Sequence, residues 1–288
     1  MTHPRVAILY PSYYTPASET DIPDCFASLE KVTYPKDAWQ IYCIENPSKH
    51  GSSAPMIERD WLPKVGDTLP TVEILKRKED AGFTGANIDG ALAALEWGAD
   101  YIYLLNQDTV VEPDFLERII ADAQACPEAA VVQSRIMLKQ DPERLNTQGN
   151  VLHFLGFGYS DGYKQTVEEA QGDPMPMFYP SGAGVLMSLK AFKRLGLFDW
   201  DYYMYHEDVE MGWRARLAGY DVRYCEDSVI AHNYQFSKSV TKFYWMERNR
   251  HLTNLSYYRW RTLMLLLPAM LVMELGTFLF ALKSGWWK

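Results

Sequence analysis

Cysteine is scarce in this chain, and its placement argues against disulfides. Cys25, Cys43, Cys126 and Cys225 are scattered, with no C-x-x-C pair and no His close by in sequence. That pattern is expected of reduced, mostly buried thiols in a cytoplasmic protein. Positive charge is short as well: 28 Lys and Arg stand against 37 Asp and Glu, a net charge of −9. Nucleic acid is therefore not expected as a partner, and an anionic ligand would need a local cation. The N-terminus lacks the apolar run of a signal peptide, since Thr2-His-Pro-Arg5 leads straight into a short strand. There is no internal repeat and no low-complexity tract.

What is present is an ordinary globular composition, 48% hydrophobic and 23% charged over 288 residues, enough for one large domain or two smaller ones. Val6–Tyr10 is a β-rich run stopped by Pro11-Ser12. Helical spacing follows over 24–31. Strands are expected at 40–44 and 71–75, a helix at 88–97, and a strand at 101–105. A helix begins near Glu112-Pro113 and runs to about Cys126, followed by a strand over 129–137. Strands alternating with helices predict a parallel, doubly wound sheet. The stretch 139–178, rich in Gly, Pro, Asp and Gln, predicts irregular structure or short hairpins over one end of the sheet, too long for an idle connection. A Gly-interrupted strand at 179–187, a helix from Tyr205-His-Glu-Asp-Val-Glu210 to about Ala218, and strands at 221–226 and 228–231 complete the order.

The polar residues that interrupt this pattern are the informative ones. Asn106, Gln107 and Asp108 end a buried strand, where an α/β sheet opens its ligand crevice. Asp108 there can cap the next turn, hold a hydroxyl or ligate a hard divalent cation. Glu45 and Asn46 end the second strand in the same way. Gly82-Phe-Thr-Gly-Ala-Asn87 precedes a helix and allows close backbone approach to an anion, although it matches neither G-x-G-x-x-G nor Gly-Lys-Ser/Thr and also suits a plain helix entry. Glu207, Asp208 and Glu210 follow an aromatic loop, Asp199-Trp-Asp-Tyr-Tyr-Met-Tyr205, of the kind that lines sugar sites. Acids at a helix start are also favoured by the helix dipole alone. His232, just past a strand end, is a structural residue or a further metal ligand.

Beyond residue 236 the chain changes character. Lys238, Lys242, Arg248, Arg250, Arg259 and Arg261 interleave with Phe243, Tyr244, Trp245, Tyr257, Tyr258 and Trp260, and a largely apolar run covers 263–282 before Lys283 and Trp286-Trp287-Lys288. Basic and aromatic flanks around such a run predict a membrane-associating segment. Pro268 and Glu274 favour a helix lying in the interface, kinked or re-entrant, over a simple span. A buried helix or an oligomer interface is the alternative.

Taken in order, Tyr10-Pro-Ser12, Glu45-Asn46, Gly82-Phe-x-Gly-Ala-Asn87, Asn106-Gln-Asp108, Ser181-Gly-Ala-Gly184, Glu207-Asp208 and His232 resemble glycosyltransferase family 2, and most of all its rhamnosyltransferase-like branch. The resemblance implies a GT-A fold, Rossmann-like and doubly wound with a mixed sheet, over 1–235. The donor half would cover about 1–110, the acceptor half about 111–235, and the membrane-associating segment 236–288. It implies donor contacts from Pro11, Ser12, Tyr13, Glu45 and Asn46, from Gly82 and Asn87, and from Asn106, Gln107 and Asp108. Acceptor or sugar contacts would come from Ser181, Gly182, Ala183, Tyr205, His206 and Trp213. Asp108 matches the last acid of the family's D-x-D motif and, with His232, would hold Mg²⁺ or Mn²⁺. The first acid of that motif is replaced by Asn106, which carries no charge. Asp208 matches the catalytic base and Glu207 its neighbour. The implied activity is inverting transfer of a sugar, with rhamnose from dTDP-rhamnose as the leading candidate, to a lipid-linked saccharide of a bacterial surface polysaccharide. It would take place at the cytoplasmic face of the membrane, with homo-oligomerisation left open. A catalytically silent nucleotide- or saccharide-binding module on the same fold is the alternative.

Overall fold

The computed structural model describes residues 3–171, 177–234 and 239–286. Its first half is a run of parallel strands, β1 (Val6–Tyr13), β2 (Trp39–Asn46), β3 (Thr71–Lys76) and β4 (Tyr101–Leu105), linked through α1 (Ser18–Leu29), α2 (Ala54–Asp60) and α3 (Gly82–Trp97). A short β5 (Thr109–Val111) leads to α4 (Phe115–Ala125), β6 (Ala129–Leu138) and β7 (Asp141–Thr147). The hairpin β8 (Asn150–Leu152) and β9 (Gly158–Ser160), α5 (Val167–Ala170), β10 (Gly184–Ser188) and α6 (Leu189–Leu195) come next. The chain then forms α7 (Glu207–Leu217), β11 (Asp221–His232), α8 (Val240–Tyr257) and α9 (Trp260–Lys283).

The main sheet runs β3-β2-β1-β4-β10-β6-β11-β5, with β7 beside β6. It is mixed rather than wholly parallel, because β10 enters between β4 and β6 antiparallel to both. Successive residues of β1 feed two cores. Val6, Ile8 and Tyr10 pack with Phe26 of α1 and Phe115 of α4, while Ala7 and Leu9 pack with Ala86 and Ile88 of α3 and with Met211 of α7. Helices on both faces explain why the strands read as continuous apolar runs.

Several boundaries differ from the expected ones, each for a local reason. β1 does not stop at Pro11: its pairing with β4 ends at Leu9, and beyond that it is bonded only to β2, where proline is tolerated as on an edge strand. The first helix starts at Ser18, six residues earlier than its apolar spacing indicates, and the third starts at Gly82. The expected glycine loop at 82–87 is thus the opening of α3. The two short strands at 221–226 and 228–231 are one strand whose register against β6 shifts between Cys225 and Val229.

The boundary expected at 235/236 falls outside the described residues, as do Lys238, Trp287 and Lys288. The two C-terminal helices differ sharply. α8 buries Asn249, Arg250, Thr253 and Asn254 against the body. α9 has 24 residues and buries none. At about 1.5 Å per residue it is longer than the roughly 30 Å hydrocarbon layer. Pro268 lies inside α9 without ending it. Glu274 accepts from Arg250 Nη2 at 2.6 Å, so this acid is paired inside the protein. Arg250 also binds Glu247 at 2.7 Å and the Leu155 carbonyl at 3.1 Å. Glu247, His251 and Glu274 lie close enough to share an ion, but the Arg250 guanidinium already bonds both carboxylates there.

Candidate active site

Sheet register brings the scattered polar residues to one edge. His232 ends β11 opposite Thr109 of β5, the residue after Asp108. His232 Nε2 therefore stands 3.2 Å from Asp108 Oδ1, and the Asn233 amide donates to the Asp108 carbonyl at 2.9 Å. On the other side of the ring, Nδ1 lies 3.0 Å from Asn146 Oδ1. The ring is thus held between the Asn146 amide and the Asp108 carboxylate. At that distance an imidazole nitrogen and a carboxylate oxygen can share a proton or a cation. Neighbouring ligands of an octahedral ion with bonds of about 2.1 Å stand about 3 Å apart, so this pair fits a divalent metal. Asn146 serves as the outer hydrogen-bond partner that fixes the ring.

Asp108 opens onto a cleft of about 560 Å³ lined also by Pro11, Ser12, Tyr13, Asn46, Gly82, Asn106 and Gln107 from the strand ends, whereas His232 is buried and does not line it. Gln107 ties the ends of β1 and β4 together, donating to the Tyr13 carbonyl at 3.0 Å and accepting from its amide at 3.1 Å. The opposite wall is Tyr203, Met204 and Tyr205, with Ser239, Thr241, Lys242 and Trp245 from the start of α8. The Tyr203 and Trp245 rings lie 4.6 Å apart. Gly82 has a left-handed φ of +64°, and a Cβ there would meet the Tyr203 carbonyl at 2.2 Å, so only glycine lets α3 start against this wall.

A second hollow of about 490 Å³ abuts the first and shares Tyr205 and Lys242 with it. Glu207 and Asp208 line it, with Ser181, His206 and the rings of Tyr159, Tyr163, Tyr179 and Tyr234. Burial raises the Asp208 carboxyl above the usual range, against the backbone N–H groups of Val209 and Gly182 that bind it. Burial and then repulsion from Asp208 raise Glu207. Burial, helped by Arg250, pushes His206 down to about 4, so its ring is neutral. Glu207 Oε2 and His206 Nδ1 are buried without a hydrogen-bond partner. Lys242 Nζ sits 5.3 Å over the Tyr205 ring, and burial lowers its ammonium. Among the described lining residues of both clefts, Lys242 is the one Lys or Arg.

Not every expected site residue reaches these clefts. Glu45 caps α2 instead, accepting from the Ser53 amide at 2.6 Å, the Ala54 amide at 3.0 Å and the Ser52 hydroxyl at 2.7 Å. Burial works to raise its carboxyl, but these bonds outweigh it and hold the group below the ordinary range. Asn87 is buried within α3 and donates to the Phe83 carbonyl at 2.9 Å. Trp213 stacks on Tyr257 at 5.3 Å and meets Phe178 edge-on, because its turn of α7 faces α8. Gly182 and Ala183 act through their backbone: the Gly182 N–H holds Asp208, and the Ala183 carbonyl receives the Asn106 amide at 3.3 Å. Sequence reasoning missed Lys242 and Trp245 as cleft residues, and it reached Tyr203 only as part of the aromatic loop 199–205. It grouped Lys242 and Trp245 with the membrane flank, and the polar Ser239-Val-Thr241 preceding them was the available sign.

Comparison with known proteins accords with this geometry. The family model described as "Glycosyl transferase family group 2" matches residues 101–287, well over half of the chain. The N-acetylglucosaminyl-diphospho-decaprenol L-rhamnosyltransferases of two Mycobacterium tuberculosis strains, CDC 1551 / Oshkosh and ATCC 25618 / H37Rv, are 24% identical over 67% of this chain and 66% of theirs. The match thus spans just under two thirds of those relatives. Among solved structures, GalNAc-T7 with UDP, GalNAc and Mn²⁺ superposes with a TM-score of 0.64 at 13% identity, over 87% of this chain and 47% of that one. The mannosyltransferase PcManGT of Pyrobaculum calidifontis, in complex with GDP-Man and Mn²⁺, gives 0.62 at 14% identity over 90% and 66%. These likenesses carry the GT-A fold. The chain belongs to glycosyl transferase family group 2.

Proposed function

We propose that this chain moves a sugar from a nucleotide-sugar donor to a saccharide hydroxyl, inverting the anomeric carbon. The observation that carries the reading is the abutment of the two clefts across Tyr205 and Lys242. One cleft is lined by the Asp108 carboxylate, which faces the buried His232 ring in a pair suited to a cation, and the other by a pair of buried acids. The donor nucleotide would lie along Ser12, Tyr13, Asn46 and Gly82, against Tyr203 and Trp245. An acceptor hydroxyl in the tyrosine-lined hollow would give its proton to Asp208 while its oxygen attacks the anomeric carbon and the bond to the diphosphate breaks. Burial brings Asp208 closer to neutral pH, which makes it a stronger base than an ordinary carboxylate. Lys242 would meet the charge of the departing diphosphate. A divalent cation, Mg²⁺ or Mn²⁺, held by Asp108 and His232 would add positive charge at the diphosphate oxygens.

The finer reading is rhamnosyl transfer from dTDP-rhamnose to a polyprenyl-linked saccharide, in bacterial surface polysaccharide synthesis. Its support is the printed name of the relatives and the bare apolar surface of α9, which we assign to the cytoplasmic face of a membrane rather than to a second copy. Residues 1–235 would then be the catalytic domain and 236–288 the segment that joins it to the bilayer. Purified protein with Mn²⁺ and a panel of UDP-, GDP- and dTDP-sugars tests the reading: one donor should be hydrolysed slowly without acceptor and faster with it. No turnover of any donor overturns it, and nucleotide binding without turnover would leave the silent-module reading in its place.

A further inference from the structure

The turn that delivers Glu207 and Asp208 is strained. Among the described residues, four that are not glycine have a left-handed φ. Three of them, Tyr203 at 54°, Tyr205 at 67° and His206 at 67°, lie directly before the pair. Such backbone persists only where its surroundings over-determine it.

The surroundings are one side of α8. Asn249 is fully buried, and its amide nitrogen donates to three carbonyls of the turn: Tyr202 at 2.8 Å, Met204 at 2.9 Å and Tyr205 at 2.6 Å. Its Oδ1 accepts from Arg248 at 2.7 Å, and Arg248 reaches the Asp201 carbonyl at 2.5 Å. One turn further along α8, Thr253 Oγ1 and the Tyr202 hydroxyl are 3.0 Å apart. Buried carbonyls are costly to leave unpaired, so this one side chain removes the incentive for the turn to relax into an ordinary conformation. Neither Asn249 nor Thr253 lines either cleft.

We infer that Asn249 is the positioning residue of the Glu207–Asp208 pair, fixing the left-handed turn and with it the place where the two carboxyls enter the hollow. This rests on the transfer reading above. A purely structural clamp would set only thermal stability. A positioning clamp also sets the proton affinity and the reactivity of Asp208. The charged and titratable groups around Asp208 are Glu207, His206 and Tyr205 on its own turn, Lys242 from α8, and Tyr159, Tyr163, Tyr179 and Tyr234 around the hollow. None of them is altered by a change at Asn249.

The test uses the full chain carrying Asn249→Ala, with Thr253→Val as the control. The ¹³C carboxyl signal of Asp208, identified by its loss in Asp208→Asn, should titrate above the ordinary carboxylate range in the parent. In Asn249→Ala it should fall by about one pH unit as the turn relaxes and admits water. On the best donor of the panel, kcat should drop about 100-fold with donor KM affected far less. Thr253→Val should lower Tm while leaving both the titration and kcat as in the parent. If Asn249→Ala does not fold, Asn249→Ser, which keeps a shorter donor, should show an intermediate change in both readouts. A folded Asn249 variant with parental titration and parental kcat overturns the inference. The titration needs no donor, so it decides the inference even where the donor panel shows no turnover and the transfer reading fails.

Discussion

The two acids that the sequence motifs single out, Asp108 and Asp208, sit in opposite surroundings at the same end of the sheet. The Asp108 side chain is 30% exposed and faces an imidazole nitrogen across 3.2 Å. Asp208 is enclosed beside a second carboxyl, and its proton affinity is raised. A carboxylate that stays in reach of water and has an imidazole nitrogen beside it is suited to hold a cation. One that is enclosed and crowded by a like charge is suited to take up a proton. The same functional group thus acquires two chemistries from burial and neighbours alone.

Asp208→Asn breaks the contrast most severely. Removing the base should cost on the order of 10³-fold in transfer. Nucleoside diphosphate affinity, set in the other cleft, should stay near the parental value by isothermal titration. A weaker effect belongs to the metal side. His232→Ala leaves Asp108 without its companion ligand, and the Mn²⁺ needed for half-maximal nucleotide binding should rise about 10–100-fold. Nucleotide binding that survives chelation in the parent would remove Asp108 and His232 from the role assigned to them.

The contrast also has a pH signature whose sign differs between rate and stability. Because the folded Asp208 and Glu207 carboxyls are raised, the base is ionised only above the ordinary carboxylate range, so kcat/KM should climb with pH through that higher window. Stability runs the other way. A raised carboxyl favours the protonated folded state, so the pair is least costly at acid pH. Its destabilisation appears as pH rises from the ordinary carboxylate range through the raised one. Asp208→Asn should remove much of that penalty, giving an inactive protein whose Tm near neutral pH is higher than the parent's. A lower Tm in Asp208→Asn across the whole pH range would mean that the pair is not crowded as described.

Much of this arrangement was legible in the sequence, and what was not has identifiable causes. Strand order and the acids at strand ends could be read because a doubly covered sheet writes itself as apolar runs that stop where the crevice begins. The antiparallel β10 was hidden, since alternation of strands and helices carries no direction. Asn46, Gly82 and Asp108 line the first cleft. Glu45 and Asn87 lie in the same motifs, yet one caps α2 and the other turns into α3, because a motif fixes position along the chain and not which way a side chain points. Lys242 and Trp245 were read as membrane flank because residues 240–261 share one basic and aromatic composition. Folding divides that stretch: α8 turns its polar side inward and exposes single apolar residues such as Leu255, whereas α9 buries none of its residues.

The smallest effect on chemistry should come from α9, and that makes it the sharpest check that the reaction belongs to the two clefts. Leu265 and Val272 are 80% and 73% exposed, on the side of α9 turned away from the Arg250–Glu274 contact. Replacing both with Lys takes little apolar area out of packing, so Tm in detergent and hydrolysis of a water-soluble donor should match the parent. Partition into vesicles of phosphatidylethanolamine and phosphatidylglycerol should fall sharply, since a charge near a bilayer centre costs about 2.5–3.5 kcal/mol on insertion scales. Turnover of a polyprenyl-linked acceptor embedded in those vesicles should fall with partition, and turnover of the same saccharide cut free of its lipid should not. Equal losses on both acceptors would place α9 inside the catalytic machinery, and the division between the helix that serves the clefts and the helix that meets the lipid would then have to be redrawn.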